Sequence, residues 1–150
     1  MRRRIIGGWL PAVLWAGLIF ALSSIPGTSL PTVAIPQADK MVHTLVYAIL
    51  GYLVLRALES GPAPGSEPGS ERDRRAPRAL PGLALVILAV TLATLYGISD
   101  ELHQLWTPNR SADWRDVVAD ALGGTLGTLA LVGGRWMKIR ACFMMRPSKD

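Results

Sequence analysis

The reading of the fold turns on LPGLALVILAVTLATLYGISDELHQLWTPNRSADWRD, residues 80–116. Leu80 to Leu95 carries no charge. The next twenty-one residues then gather Asp100, Glu101, His103, Gln104, Arg110, Asp113, Arg115 and Asp116. An apolar run of that length is what a helix needs to enter a bilayer, whose core takes roughly 20 such residues to cross. The polar cluster at its end then has to lie at a membrane surface or face the inside of a helical bundle.

Working outward, the same type of block recurs. Half of the 150 residues are hydrophobic and 18% are charged, and mean hydropathy is +0.30. The apolar residues fall in long stretches rather than in short amphipathic periods. Four stretches qualify as spans: Ile5 to Ser24, Met41 to Leu58, Leu80 to Ser99 and Asp116 to Gly133. The expectation is an all-α membrane protein of one domain, residues 1–150, with four transmembrane helices arranged as two hairpins. MRRR followed by an apolar run resembles a signal peptide, but the run exceeds the usual apolar core of about 7–15 residues. It also carries Trp9 and Trp15, so an uncleaved first helix is expected.

Charge sets the expected orientation. With the N-terminus inside, Arg2 to Arg4, the arginines between Arg56 and Arg78, and the bases from Arg135 to Lys149 are all cytoplasmic. Of the 16 basic residues, that leaves only Lys40, Arg110 and Arg115 outside, satisfying the positive-inside rule with both termini cytoplasmic. The formal charge of +5 therefore orients the chain; with no aromatic platform among the basic segments, it argues for no nucleic-acid partner. Residues 59–79, dense in Gly, Pro, Ser and charge, read as a flexible cytoplasmic linker, and residues 134–150 as a basic cytoplasmic tail. The lone Cys142 excludes an intrachain disulfide and carries no metal or redox pattern.

This topology puts Ala38 to His43 on the same outer face as the cluster after Leu95. Together, ADKMVHTLVYAILGY and YGISDELHQLWTPNRSADWRDVVADALGG resemble the VanZ family of small bacterial membrane proteins. That family's pattern is Asp-Lys-x-x-His at one helix start, Asp-Glu-x-x-Gln at the next helix end, then Arg and an Asp-rich entry to a Gly-rich helix. The match falls on Asp39, Lys40, His43 and Tyr47, on Asp100, Glu101 and Gln104, and on Arg110, Asp113, Asp116, Asp120, Gly123 and Gly127. The resemblance implies a multi-pass protein of the bacterial cell membrane, in a family whose namesake is associated with resistance to teicoplanin. It supplies no biochemical activity and no cofactor.

The side chains themselves support more than one chemistry. At 100° per residue Tyr96, Asp100, His103 and Gln104 share a stripe with Glu101 on its flank. Acids near a helix C-terminus are disfavoured by about 0.3–1 kcal/mol each, so Asp100 and Glu101 call for a cation: Arg110, Arg115, Lys40 or a bound ion. Asp39 reads as an N-cap, worth about 1 kcal/mol, with His43 and Tyr47 on the same side. Asp113 and Asp116 have the spacing of a cap and its third helical residue. Asp120 lies about 6 Å deeper by helical rise and costs about 2.5–3.5 kcal/mol at a membrane centre, so it should face inward and meet Arg110, Arg115 or His43. Gly123 and Gly127 permit close helix approach, serving either the monomer or a homo-oligomer.

Three functions fit. The first is recognition of a lipid-linked or cell-wall ligand, with Lys40 and Arg110 holding an anionic head group. The second is catalysis, with Asp100, Glu101 and His43 or His103 holding a divalent metal or acting as acid and base on a lipid phosphate. The third is a membrane scaffold. No compact motif such as His-Glu-x-x-His is present, so no metal ligand is assigned from the sequence.

Overall fold

The computed structural model describes residues 2–29, 37–60 and 81–144, with side chains from Gly7 onward. Four α-helices make up the described chain: α1 (Arg2–Ser23), α2 (Ala38–Leu58), α3 (Leu83–Gln104) and α4 (Trp114–Met144), with a 3-10 turn at Gly27–Ser29. No strand occurs among the described residues. The helices α2, α3 and α4 are each long and apolar enough to cross a membrane, and the described side chains of α1 form an apolar stretch, Gly7–Ser23.

Large apolar side chains turn outward here: Leu14 is 65% exposed, Ile87 56% and Leu126 56%. Small and polar residues make up much of the interior, with Ala89, Ala93, Asp120 and Thr128 fully enclosed beside Tyr47 and Leu55. In water an outer surface of that kind would be a large aggregation-prone patch. A surrounding of lipid chains makes it the favourable arrangement.

The closest helix pairing is between α2 and α4, and it rests on glycine. A Cβ at Gly123 would land on the Thr44 carbonyl oxygen, one at Gly127 on that of Ala48, and one at Gly51 on that of Gly124. Backbone therefore lies against backbone, the close approach that small residues allow in membrane helices. Gly123 and Gly127 serve packing within the chain, both being buried against α2. Beneath them Leu50, Val54, Leu55 and Leu131 form the apolar core, with Trp9 and Trp15 of α1 against it. Helix α1 is pinned by two polar side chains, Trp15 Nε1 donating to the Val46 carbonyl at 3.0 Å and Tyr96 Oη to that of Ala16 at 2.6 Å.

The boundaries differ from the expected ones in instructive ways. Helix α3 does not stop at Ser99 but runs through the polar residues to Gln104, because its acids find partners there. Helix α4 starts at Trp114 and continues to Met144 rather than ending at Gly133. Each of Gly133 and Gly134 weakens a helix by about 1 kcal/mol relative to Ala, but the good helix formers after them carry it on. Arg135 pairs with Glu59 at the end of α2, and Arg140 lies 4.5 Å over the Trp136 ring. The stretch 134–144, read as tail, is therefore helical. Apart from Glu59 and Ser60, the linker 59–79 lies outside the described residues, as do residues 145–150.

Candidate functional site

The C-termini of α1 and α3 and the N-termini of α2 and α4 meet at one end of the bundle. Most of the polar residues singled out in the sequence converge there.

Helix α4 begins with a cap completed from another helix. Asp113 Oδ1 accepts the Arg115 backbone N–H at 2.9 Å, the ordinary N-cap bond, and this N–H, joined by Lys40, holds the Asp113 carboxyl below its usual value. In a capping box the acid three residues on would accept the cap's own N–H. Here Glu101 of α3 does so instead, its Oε2 accepting from Asp113 N at 2.8 Å. Asp116 is left free to turn inward to Lys40, its Oδ1 2.7 Å from Nζ.

Lys40 is ringed by carboxylates: besides Asp116, Asp39 Oδ2 lies at 2.8 Å and Asp113 Oδ2 at 3.2 Å. The expectation that Asp39 caps α2 is not met, since Gln37 occupies that position with a left-handed φ of 60° and no side-chain bond. Asp39 instead stands inside the first turn, where a negative charge suits the helix dipole.

One layer deeper, Asp120 Oδ1 lies 2.9 Å from His43 Nδ1. Of the three partners open to Asp120, His43 is the one it meets. The His43 ring lies parallel to that of Tyr47, centroids 6.2 Å apart. Across from this pair is Gly97 of α3, where a Cβ would approach Asp120 Oδ2 to 2.5 Å. Asp100 and Glu101 stand one turn above Gly97 on the same face of α3.

Neither Asp100 nor Glu101 finds a cation among the described residues. Asp100 Oδ2 accepts from Ser23 Oγ at 2.8 Å and from the Gln104 amide at 3.2 Å, and the same amide reaches Glu101 Oε1 at 3.3 Å. Asp100 Oδ1, Asp120 Oδ2 and the Tyr47 hydroxyl are buried with no partner among the described residues. Donor atoms of His43, Glu101 and Asp116, one from each of three helices, all lie within 4.8 Å of one another.

Two residues assigned to the site stand elsewhere. Arg110 donates to the carbonyl oxygens of Leu22 at 3.3 Å and Ile25 at 3.4 Å. The last carbonyls of a helix lack intrahelical partners, and a basic side chain satisfies them. The expectation that Arg110 answers the acids is not met among the described residues. His103 turns to α1, stacking on Phe20 with centroids 4.4 Å apart and lying 3.0 Å from Ser24 Oγ. Ser23 and Gly97, by contrast, belong to the site and were not assigned to it. The signal for Gly97 was a glycine inside an apolar helix, tolerated at about 1 kcal/mol and in need of a packing reason.

No curated protein and no solved structure matches the chain. The VanZ/LLP1 family model matches residues 8–136, which take in all of α2 and α3, most of α1 and α4 and all of the polar cluster, and the chain is a member of that family.

Proposed function

We propose that this VanZ-family membrane protein recognises a lipid-linked or cell-wall ligand at the polar end of its bundle, and thereby affects susceptibility to glycopeptides such as teicoplanin. In this reading all four helices cross the membrane of a bacterial cell, both termini are cytoplasmic and the polar end faces outward. The distribution of basic residues supports the orientation.

The observation that carries the reading is the unsatisfied polarity of the interior. A scaffold that merely closes its loops has no need of buried carboxylate oxygens without partners, as at Asp100 and Asp120, since such atoms cost free energy until something pairs with them. The geometry favours a ligand presenting positive charge over an anionic head group. Asp39, Asp100, Glu101, Asp113, Asp116 and Asp120 gather here, Lys40 is already shared among three of them, and Arg110 is engaged with α1. A second reading, an enzyme acting on a lipid phosphate or an envelope precursor, is favoured by the His43–Asp120 contact. It gives the imidazole the orientation that a general base requires.

Teicoplanin susceptibility in a sensitive host tests the proposal, comparing the parent with Glu101→Gln, His43→Ala and Asp100→Asn at equal membrane levels. The parent should raise the inhibitory concentration several-fold and the variants should not. Equal protection by all three variants would mean that the cluster is scaffold, and no protection by the parent would remove the glycopeptide role.

A further inference from the structure

We propose that His43, Glu101 and Asp116 bind one divalent transition-metal ion, with Asp120 orienting the imidazole. The inference rests on the polar end being a working site, as proposed above, and names the positive charge that it holds.

The donor set comes from α2, α3 and α4, and its atoms lie within 4.8 Å of one another. Ligand atoms around a tetrahedral ion with bonds of about 2.0–2.2 Å are about 3.4 Å apart. Small side-chain rotations therefore close the set. His43 is already arranged as a metal-binding histidine usually is: its Nδ1 is held by Asp120 at 2.9 Å, leaving Nε2 to ligate. A carboxylate behind a ligating imidazole fixes the ring and raises its basicity. Glu101 Oε2 takes a backbone N–H, while Oε1 receives only a 3.3 Å contact from the Gln104 amide. Lys40 reaches Asp116 through Oδ1, so the second oxygen remains as a donor to the ion.

Independent support comes from atoms left unsatisfied among the described residues. Asp120 is fully enclosed and Asp100 is 4% exposed, yet one oxygen of each has no partner there. Asp120 Oδ2 lies against Gly97, directly below Glu101 on α3, and Asp100 is the neighbour of Glu101. These oxygens accept and cannot donate when ionised, so each calls for a donor or a cation at this end of the bundle. One ammonium, that of Lys40, does not balance the carboxylates around it.

The ligand types indicate the class of ion. Calcium and magnesium take oxygen donors, whereas an imidazole with two carboxylates suits zinc, manganese or iron. Three protein ligands leave at least one position open, as in sites where the ion meets an exogenous molecule.

The test uses the full chain, purified in detergent, stripped with chelator and titrated with Zn2+ and Mn2+ by calorimetry. Its Co2+ form is examined by absorption spectroscopy. One equivalent should bind, with a cobalt spectrum free of thiolate charge-transfer bands. Glu101→Gln and His43→Ala should weaken binding at least 100-fold and Asp120→Asn about 10–100-fold, with helix content retained by circular dichroism. His103→Ala and Cys142→Ser, at the other histidine and the lone thiol, should bind as the parent does. The absence of saturable binding to the parent would overturn the proposal, as would unchanged binding by Glu101→Gln or loss on His103→Ala or Cys142→Ser. Should His43→Ala not fold, Glu101→Gln and the parent's cobalt spectrum still decide. No envelope ligand is present in this experiment, so its failure removes the ion alone, while the recognition reading stands or falls on susceptibility.

Discussion

Gly97→Ala should uncouple His43 from Asp120 without removing an ionisable group. A Cβ at Gly97 would lie 2.5 Å from Asp120 Oδ2 and 2.9 Å from its Cβ, where ordinary contact begins at 3.4 Å. The Asp120 carboxylate therefore has to withdraw by about 0.9 Å, comparable with the overpacking that costs about 1–3 kcal/mol in a well-packed core. Its 2.9 Å contact with His43 does not survive a shift of that size unless His43 follows. Loss of a hydrogen bond to a charged group costs about 1.5–3 kcal/mol. Against these stands the gain from replacing glycine inside a helix, about 0.5–1 kcal/mol. The net expectation is destabilisation by about 1.5–5.5 kcal/mol, read from reversible unfolding in mixed detergent micelles. Gly133→Ala is the matched control: a Cβ there meets nothing within 4 Å, so only the helix-propensity gain remains and the variant should be slightly more stable than the parent. If Gly97→Ala were also more stable than the parent, the close approach of α3 to Asp120 would be wrong, and with it the layered arrangement of the site.

Two further outcomes follow from the same geometry. Lys40→Met strips the shared ammonium from Asp39, Asp113 and Asp116. Because Asp116 is nearly buried, the loss should approach the low end of the range for breaking a buried pair, about 3 kcal/mol; neutralising the innermost acid with Asp116→Asn in the same chain should recover part of it, and no recovery would deny their coupling. Cys142 is an exposed free thiol near the end of α4. A membrane-impermeant maleimide should label it only after cells are permeabilised, and labelling in intact cells would invert the proposed orientation.

The elements legible in the sequence were those set by local properties. Hydropathy over a window of about 20 residues placed α2, α3 and α4 near their observed positions, because a helix satisfies its backbone polar groups within itself wherever it lies in a bilayer. The α4 cap was equally legible: Asp113 and Asp116 are three residues apart, and that spacing alone brings them to a helix start. The inward turn of Asp120 followed from the cost of leaving it in lipid. The end of α4 was missed because two glycines and a basic run resemble a stop, while the contact from Arg135 to Glu59 that ties the extended helix to α2 comes from residues far apart in sequence.

The sequence by itself therefore determined that this is an apolar helical protein with its polar chemistry gathered at one end. Only the tertiary structure decided which of those polar groups meet. His43, Glu101 and Asp116 share no local motif; the rotation of three helices about their axes brings them together, that of α2 and α4 being set by backbone packing at Gly51, Gly123 and Gly127 and that of α3 by the contact of Gly97 with Asp120. Arg110 and Lys40 carry the same charge, and nothing in their local sequence states that one would serve the Leu22 and Ile25 carbonyls at and just beyond the end of α1 and the other three carboxylates. Partner choice is a long-range property, because a charged side chain near lipid settles on whichever counter-group the packed helices bring within reach.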